Sequence, residues 1–375
     1  MGLKVVLTGG GTGGHIYPAV AVGRRLLEVA PGAKIYYVGT SRGLEKELVP
    51  KEGWPFYTVA AAGLARRISP ATVKALLTTG KGYLQARGLL QRLKPDLVLG
   101  TGGYVCGPVV LAGAHLGIPT MIHEQNAYPG LTNRWLARVA GRVCITFPQS
   151  AQYFPAGSRI VETGLPIRRQ ILETTREEGL RGLGLKEGFR VLVVGGSQGA
   201  KSINLAMLDV YDRLKERRDI HWLHITGQAG YEGYLQELAA RGIDLTHFGN
   251  ITIMPYVYQM EQALSVADLV IGRAGASFLA EVTAKGLPGI LIPYPFASEN
   301  HQEYNAKAVV ESGGAILVKE KDLSGPVLAE HIIALADHPE RLARMARGAR
   351  ALGKPDAVDR IIEQVFALTG KTRRI

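Results

Sequence analysis

Three times along these 375 residues an apolar, strand-like run ends in a glycine-rich turn and passes into a helical pattern. KVVLT (residues 4–8) leads into GGGTGGH (9–15), DLVLG (96–100) into TGGY (101–104), and RVLVV (190–194) into GGSQGA (195–200). Glycines lack Cβ, so the backbone can turn tightly and approach a ligand, and the helix that follows offers unpaired N–H groups and a positive dipole end to an anion. Alternating strands and helices of this kind predict parallel sheets covered on both faces. Two loops fall in the first half and one opens the second. This predicts two sheets facing each other across a phosphate-bearing ligand held beyond the carboxyl ends of the strands.

Further strands are expected at 34–39 (KIYYVG), 120–124 (TMIHE), 142–146 (RVCIT), 221–226 (HWLHIT), 251–256 (ITIMPY), 268–273 (DLVIGR) and 289–295 (GILIPYP). Helices are expected from about Pro18 to Glu28, over 276–285 and over 305–311. The length and a hydrophobic content of 46% suffice for two cores. A Gly/Pro cluster at 164–168 predicts a first domain over 1–165 and a second over 166–354, followed by an amphipathic C-terminal segment from about 355. No apolar run is long enough to span a bilayer, and no secretory leader precedes the first strand, so a cytoplasmic protein is expected. Cys106 and Cys144 lack metal-ligand spacing and read as buried thiols in a reducing compartment.

The charge is lopsided. Lys and Arg outnumber Asp and Glu 18 to 7 in residues 1–165 but only 26 to 25 in 166–375, so the net charge of +12 belongs almost wholly to the first domain. Residues 53–95 contain no acid, while Arg66, Arg67, Lys74, Lys81, Arg87, Arg92 and Lys94 are interleaved with leucines. Residues 64–94 thus suggest either a surface for anionic membrane or a solvated helix whose leucines face the core. Nucleic acid is not expected, because no recognised nucleic-acid-binding motif accompanies the charge.

Other polar groups cluster at strand ends. His15 closes the first loop, where a dinucleotide fold has a helix residue, and the strand at 34–39 ends without the acid that would hold an adenosine ribose. His123, Glu124, Gln125 and Asn126 follow a buried strand and suit hydrogen bonding to a sugar or to a loop, and they lack the H-E-x-x-H zinc spacing. Arg273 precedes a helix that carries Glu281, residue types suited to a phosphate and to a pair of ribose hydroxyls, while His301 and Gln302 offer sugar-directed groups.

Taken together, GGGTGGH, GTGGYVCGP (100–108), HEQNAYPGLTN (123–133), GGSQGA and the RAGA…E pattern (273–281) resemble the MurG family of peptidoglycan N-acetylglucosaminyltransferases, over nearly the whole chain. The resemblance implies a GT-B fold, an α/β architecture of two doubly wound domains around a cleft, with the C-terminal helix crossing back to the first. It implies transfer of N-acetylglucosamine from UDP-N-acetylglucosamine to lipid I, giving lipid II, with inversion and with neither metal nor cofactor. The implied place is the cytoplasmic face of the bacterial plasma membrane, as a peripheral protein with cell-wall synthesis or division complexes as further partners. On the donor side it implies Ser197, Gln198 and Gly199 near the diphosphate with Arg273, Glu281 on the ribose, Tyr256 and Val257 at the uracil, His301 and Gln302 on the sugar, and Thr12, Gly13, Gly14, Asn126 and Arg168 as further contacts. On the acceptor side it implies Gly14, His15, Gly103, Tyr104, His123, Glu124 and Asn126. Many relatives have Asn where this chain has Leu165, and some have Gln where it has His301.

Inversion needs a base for the acceptor hydroxyl, and His15, whose ordinary pKa lies near working pH, is the first choice, with Glu124 the second. Competing readings are another GT-B glycosyltransferase, such as a glycolipid galactosyltransferase, a UDP-sugar epimerase, a non-catalytic sugar-nucleotide-binding protein, and, last, a nicotinamide oxidoreductase.

Overall fold

The structure is a computed structural model that describes residues 2–63, 70–196, 198–243 and 249–371. It divides into two compact units, Met1–Ile167 with Asp356–Ile375, and Arg168–Pro355.

The first unit is built on seven strands: β1 (Lys4–Thr8), β2 (Lys34–Gly39), β3 (Phe56–Thr58), β4 (Leu97–Gly100), β5 (Thr120–Glu124), β6 (Arg142–Ile145) and β7 (Ile160–Glu162). They pair in parallel in the order β3-β2-β1-β4-β5-β6-β7. The order reverses between β1 and β4, which brings the two glycine loops of this unit side by side. Strand alternation explains the two cores. Val5 and Leu7 of β1 join Leu97, Leu99 and Met121 on one face, whereas Val6 joins Val98 and Ile122 on the other. The C-terminal helix Ala357–Thr369 adds Ile361, Ile362 and Val365 to the first face and is tied there by Arg25 Nε to Asp359 Oδ1 at 2.8 Å.

The second unit repeats the plan with β8 (Phe189–Val194), β9 (Ile220–Ile225), β10 (Ile251–Met254), β11 (Leu269–Gly272), β12 (Gly289–Leu291) and β13 (Ala315–Leu317), all parallel in the order β10-β9-β8-β11-β12-β13. The glycine loop after β8 and the RAGA segment after β11 again leave from neighbouring strands at the reversal.

Some elements differ from the sequence expectation. β3 and β13 are three-residue edge strands, too short for their alternation to stand out. The first helix runs Gly13–Val29 instead of starting at Pro18. Proline is tolerated at a helix start, which made Pro18 look like one, but here it lies inside and leaves the Gly14 carbonyl without its helical N–H partner. The consequence is that His15 belongs to the first helical turn. The helix expected over 305–311 begins at His301, and Ala276–Lys285 coincides with its expected span.

The basic stretch forms a helix, Pro70–Leu93, with residues 64–69 outside the described ones. Ala75, Ala86, Leu89 and Leu90 point inward, while Leu77 and Leu84 are 71% and 68% exposed beside the exposed Lys74, Lys81 and Arg87. Its outer face is therefore both basic and apolar. Among the described residues no helix is long and apolar enough to cross a membrane.

Candidate functional site

In the first unit the two loops are stitched together by their own backbone. Gly10 N–H donates to the Gly102 carbonyl (3.2 Å), Thr101 N–H to the Thr8 carbonyl (2.8 Å), and the Thr101 hydroxyl to the His15 carbonyl (2.6 Å). Gly102 has φ +110° and a Cβ there would stand 2.6 Å from His15 Cδ2, so only glycine lets the second loop pass against the imidazole. The Cys106 thiol donates toward the Thr8 and Gly102 carbonyls, and burial pushes its pKa up to about 12, which makes it a structural thiol.

The half-buried His15 places Nδ1 3.0 Å from the Gly10 carbonyl. The Thr12 hydroxyl, 3.4 Å from the same nitrogen, can donate or accept, whereas the nearer carbonyl only accepts, so Nδ1 carries the proton and Nε2 is left as an acceptor. Thr12 and Gly14 are exposed, Gly13 and Gly103 are half-buried, and the Tyr104 ring is 63% exposed.

The 123–126 cluster turns inward. His123 is buried, with Nε2 2.8 Å from the Gly164 carbonyl and Nδ1 3.2 Å from Gln125 Nε2, and burial lowers its pKa to about 4, so it is neutral. Glu124 is also buried. Its Oε1 accepts from Asn126 N–H (2.9 Å) and Asn126 Nδ2 (3.2 Å), and its Oε2 from Gly130 N–H (3.1 Å) and Asn133 Nδ2 (2.8 Å). Four donors on one carboxylate make it the clasp of the 124–133 loop.

In the second unit, Gly199 has φ +76° and a Cβ there would lie 2.1 Å from the Thr226 carbonyl, so the glycine loop lies directly on the end of β9. Asn204 Nδ2 donates to that same carbonyl (2.9 Å), and its Oδ1 faces His224 Nε2 at 3.1 Å, while His224 Nδ1 meets the Tyr211 hydroxyl at 3.0 Å. His224 is fully buried and held near pKa 3 by desolvation. Ser197 lies outside the described residues, and Gln198 is exposed.

Arg273 is largely covered. Its guanidinium donates to the Glu320 carboxylate, to Ser202 Oγ (3.1 Å) and to the Ile292 and Pro293 carbonyls (3.1 and 3.3 Å), and it lies over the Tyr294 ring. These partners take the charge that the sequence reading directed at a phosphate. Gln302 Oε1 accepts from Ala274 N–H (3.2 Å) and Tyr294 N–H (2.9 Å), and His301 Nδ1 lies 2.6 Å from the Ser298 carbonyl. Glu281 faces Arg168 Nε at 3.5 Å, while Arg168 Nη1 lies 3.3 Å from Glu261. Burial raises the Glu281 carboxyl above its usual range against the pull of Arg168. Tyr256 is exposed and stacks edge-on against Tyr258, and Val257 is buried.

The helices at the loops share one further trait. Gly13–Val29, Lys201–Arg213 and Ala276–Lys285 all begin without a side-chain cap. Most of the other described helices are likewise uncapped, Thr175 and Ser324 in the second unit being exceptions. Uncapped N-termini behind glycine turns keep their N–H groups available to an anion.

Comparison with known proteins assigns this arrangement. The glycosyltransferase family 28 N-terminal domain matches residues 5–145 and the C-terminal domain of the same family matches residues 190–361. The chain belongs to glycosyltransferase family 28. One family 28 relative, from Moorella thermoacetica, is 50% identical over 97% of this chain and 98% of its own length. A second, from Desulforudis audaxviator, is 49% identical over 99% and 100%. Both are named UDP-N-acetylglucosamine--N-acetylmuramyl-(pentapeptide) pyrophosphoryl-undecaprenol N-acetylglucosamine transferase. The crystal structure of Acinetobacter baumannii MurG is 31% identical, covers 97% of this chain and 99% of that one, and superposes with a TM-score of 0.80. A UDP-N-acetylglucosamine 2-epimerase, at 15% identity and TM-score 0.66, shares the fold alone. The fold is GT-B, two doubly wound α/β units, as expected.

Several side chains that build these loops carry no local sequence signal. Thr101 and Asn133 fall within motifs already noted, but Glu45, Asn204 and Glu320 fall in none, and each meets a loop partner 22 to 47 residues away. Among the described residues no group of three or more His, Cys, Asp or Glu side chains comes together in a metal-ligating arrangement.

Proposed function

We propose that this family 28 glycosyltransferase moves N-acetylglucosamine from UDP-N-acetylglucosamine to the 4-hydroxyl of lipid I, undecaprenyl-pyrophosphoryl-N-acetylmuramyl-pentapeptide, giving lipid II and UDP for peptidoglycan synthesis. The observation that carries this is the near-half identity, over nearly the full length, to relatives bearing that name. The first unit recognises the acceptor through Gly14, His15, Gly103, Tyr104 and Asn126, and the second the donor through the 195–200 loop, Glu281, Tyr256, Val257, His301 and Gln302.

The transfer is a single displacement with inversion. The acceptor oxygen attacks the anomeric carbon, the bond from that carbon to the diphosphate breaks, and the hydroxyl proton passes to His15 Nε2, which the Gly10 carbonyl keeps free to accept it. Glu124 serves as the clasp of its loop. Charge grows on the departing UDP, and the uncapped starts of Lys201–Arg213 and Ala276–Lys285 supply dipoles for it, with Arg273 bracing the strand ends. Glu281 exchanges Arg168 for the ribose hydroxyls.

The protein works at the cytoplasmic face of the bacterial plasma membrane, with the outer face of Pro70–Leu93 against anionic lipid. Trp135 (66% exposed), in the helix Leu131–Leu136, and the exposed Arg138, in the turn after it, are a further apolar and basic pair on this unit. Cell-wall synthesis or division complexes are the partners this position favours.

The test is direct. Purified protein given UDP-N-acetylglucosamine and a short-chain lipid I analogue should release UDP and yield the disaccharide product in excess EDTA. No product sinks the proposal, and loss in EDTA restored by magnesium would replace the metal-free mechanism.

A further inference from the structure

Glu45 begins a single helical turn after β2 and is fully buried, yet among the described residues no cationic side chain pairs with it. Its Oε2 accepts from Gly11 N–H at 3.0 Å, and its Oε1 from the Thr40 N–H (3.0 Å) and hydroxyl (2.8 Å). Burial works to raise its pKa, but these donors outweigh it and hold the carboxyl below the usual range, so it is charged. A buried carboxylate satisfied almost wholly by backbone is costly unless it fixes something.

What it fixes is one peptide plane. The Gly11 N–H and the Gly10 carbonyl belong to the same peptide unit, and in a trans peptide they point in opposite directions. With Glu45 on the N–H, the carbonyl is turned to the other side, where His15 Nδ1 lies 3.0 Å away. Glycine flanks that plane on both sides, Gly11 has φ +86°, and a Cβ at Gly11 would meet nothing within 4 Å. With no side chain on either flanking residue, the backbone angles beside the plane are weakly restricted, so its orientation depends on the hydrogen bonds it makes and on the Gly103 backbone packed beside the Gly10 carbonyl. Rotated by half a turn, the plane would present an N–H to Nδ1. The imidazole would then keep its proton on Nε2 and could not accept another there while neutral.

The geometry points to Glu45 as a positioning residue that, through the Gly10–Gly11 peptide, holds His15 in the tautomer with Nε2 free. This rests on the reading of His15 as the base. Tight approaches fit the role: a Cβ on Gly10 or on Gly43 would stand 2.6 or 2.0 Å from a Glu45 carboxylate oxygen, so neighbouring backbone packs directly against the group.

The experiment uses the full chain with 15N-labelled histidine, the His15 ring signals being assigned by their absence in His15→Gln. The parent should give the Nδ1–H tautomer for the neutral ring. Glu45→Gln, which cannot accept on both sides, should give a mixture with Nε2–H. Its kcat should fall by about tenfold or more while KM for UDP-N-acetylglucosamine changes by less than about twofold. Thr40→Val, which removes one anchor of the carboxylate, should shift the tautomer in the same direction by less, and it stands in if Glu45→Gln does not fold. A parent already in the Nε2–H form, or a tautomer unmoved in the folded variants, overturns the assignment. Failure of the base reading looks different: His15→Gln would keep its turnover, while the tautomer would still report on Glu45.

Discussion

In the first unit two buried acids help to hold the loops beyond the sheet, whereas in the second an arginine and side-chain amides stand behind them. Glu45 and Glu124 accept from the Gly11, Thr40, Asn126 and Gly130 amides. An acid uses up N–H groups and leaves carbonyls, such as that of Gly10, to face a neighbour. Arg273, Asn305 and Asn204 instead donate to the Ile292, Ala274 and Thr226 carbonyls. Donors use up carbonyls and leave N–H groups facing out, which suits a diphosphate. The division is not complete: Gln302 accepts from two amides in the second unit, and Tyr37, Thr101, Cys106 and Gln125 donate to loop carbonyls in the first. Under the proposed function, one strand-loop-helix device would serve two chemistries, depending on the polarity of the side chains behind it: tautomer control in one unit, anion binding in the other.

The largest effect expected from this division concerns His15. His15→Gln should lower kcat by roughly 10²- to 10⁴-fold. UDP affinity, assigned to the other unit, should stay at the parent value by calorimetry. A large loss of UDP affinity would break the division of labour.

Next is the outer face of Pro70–Leu93, which belongs to the first unit alone. Each basic residue near an anionic surface contributes about 1 kcal/mol. Lys74→Glu, Lys81→Glu and Arg87→Glu together should therefore weaken binding to acidic liposomes by at least about 100-fold at low salt, and by less as salt screens the charge. Transfer to a soluble acceptor analogue should persist. Equal sedimentation of parent and triple variant with vesicles would leave the helix an ordinary solvated one.

How much of this the sequence disclosed depends on the range of the contact. The loops after β1, β4 and β8 stand out because glycines follow apolar runs at once, and the alternation of strand and helix carries the topology. The side chains that set each loop's polarity do not. Gly11 and Glu45 are 34 residues apart, and Arg273 and Glu320 are 47 apart, so no local spacing announces either pair. His123 and Glu124 were visible as a polar cluster, but only the fold shows that both face inward. Leu77 and Leu84 could equally have been core residues until the helix was placed on its neighbours.

In the second unit, Glu281→Ala removes a carboxylate expected to accept both ribose hydroxyls, each charged hydrogen bond contributing about 1.5–3 kcal/mol at most. Because Arg168 already occupies the carboxylate, the net loss should sit near the value for one bond, roughly 10- to 100-fold in UDP affinity. Unchanged affinity in a folded variant would remove Glu281 from the donor site and leave its ion pair as structure.

The smallest effect tests what the units share. Among the described residues each buries one neutral histidine under its loops, His123 with a pKa lowered to about 4 and His224 to about 3, both by desolvation. The unfolded chain binds a proton near pH 6.5, and the folded one does not until the pH falls much further. Stability is therefore full above pH 6.5 and is lost as acid protonates the unfolded state, down to about pH 4 for the first unit and about pH 3 for the second. At pH 6 the loss is about 1 kcal/mol per histidine, growing toward pH 5. Urea unfolding of the parent across this range should show falling stability. His224→Asn should flatten the slope for the second unit alone, at the cost of a lower plateau, because Tyr211 and Asn204 lose their partner. A slope unchanged by that substitution would mean that His224 is charged in the folded protein, and the network beneath the donor loop would need another explanation.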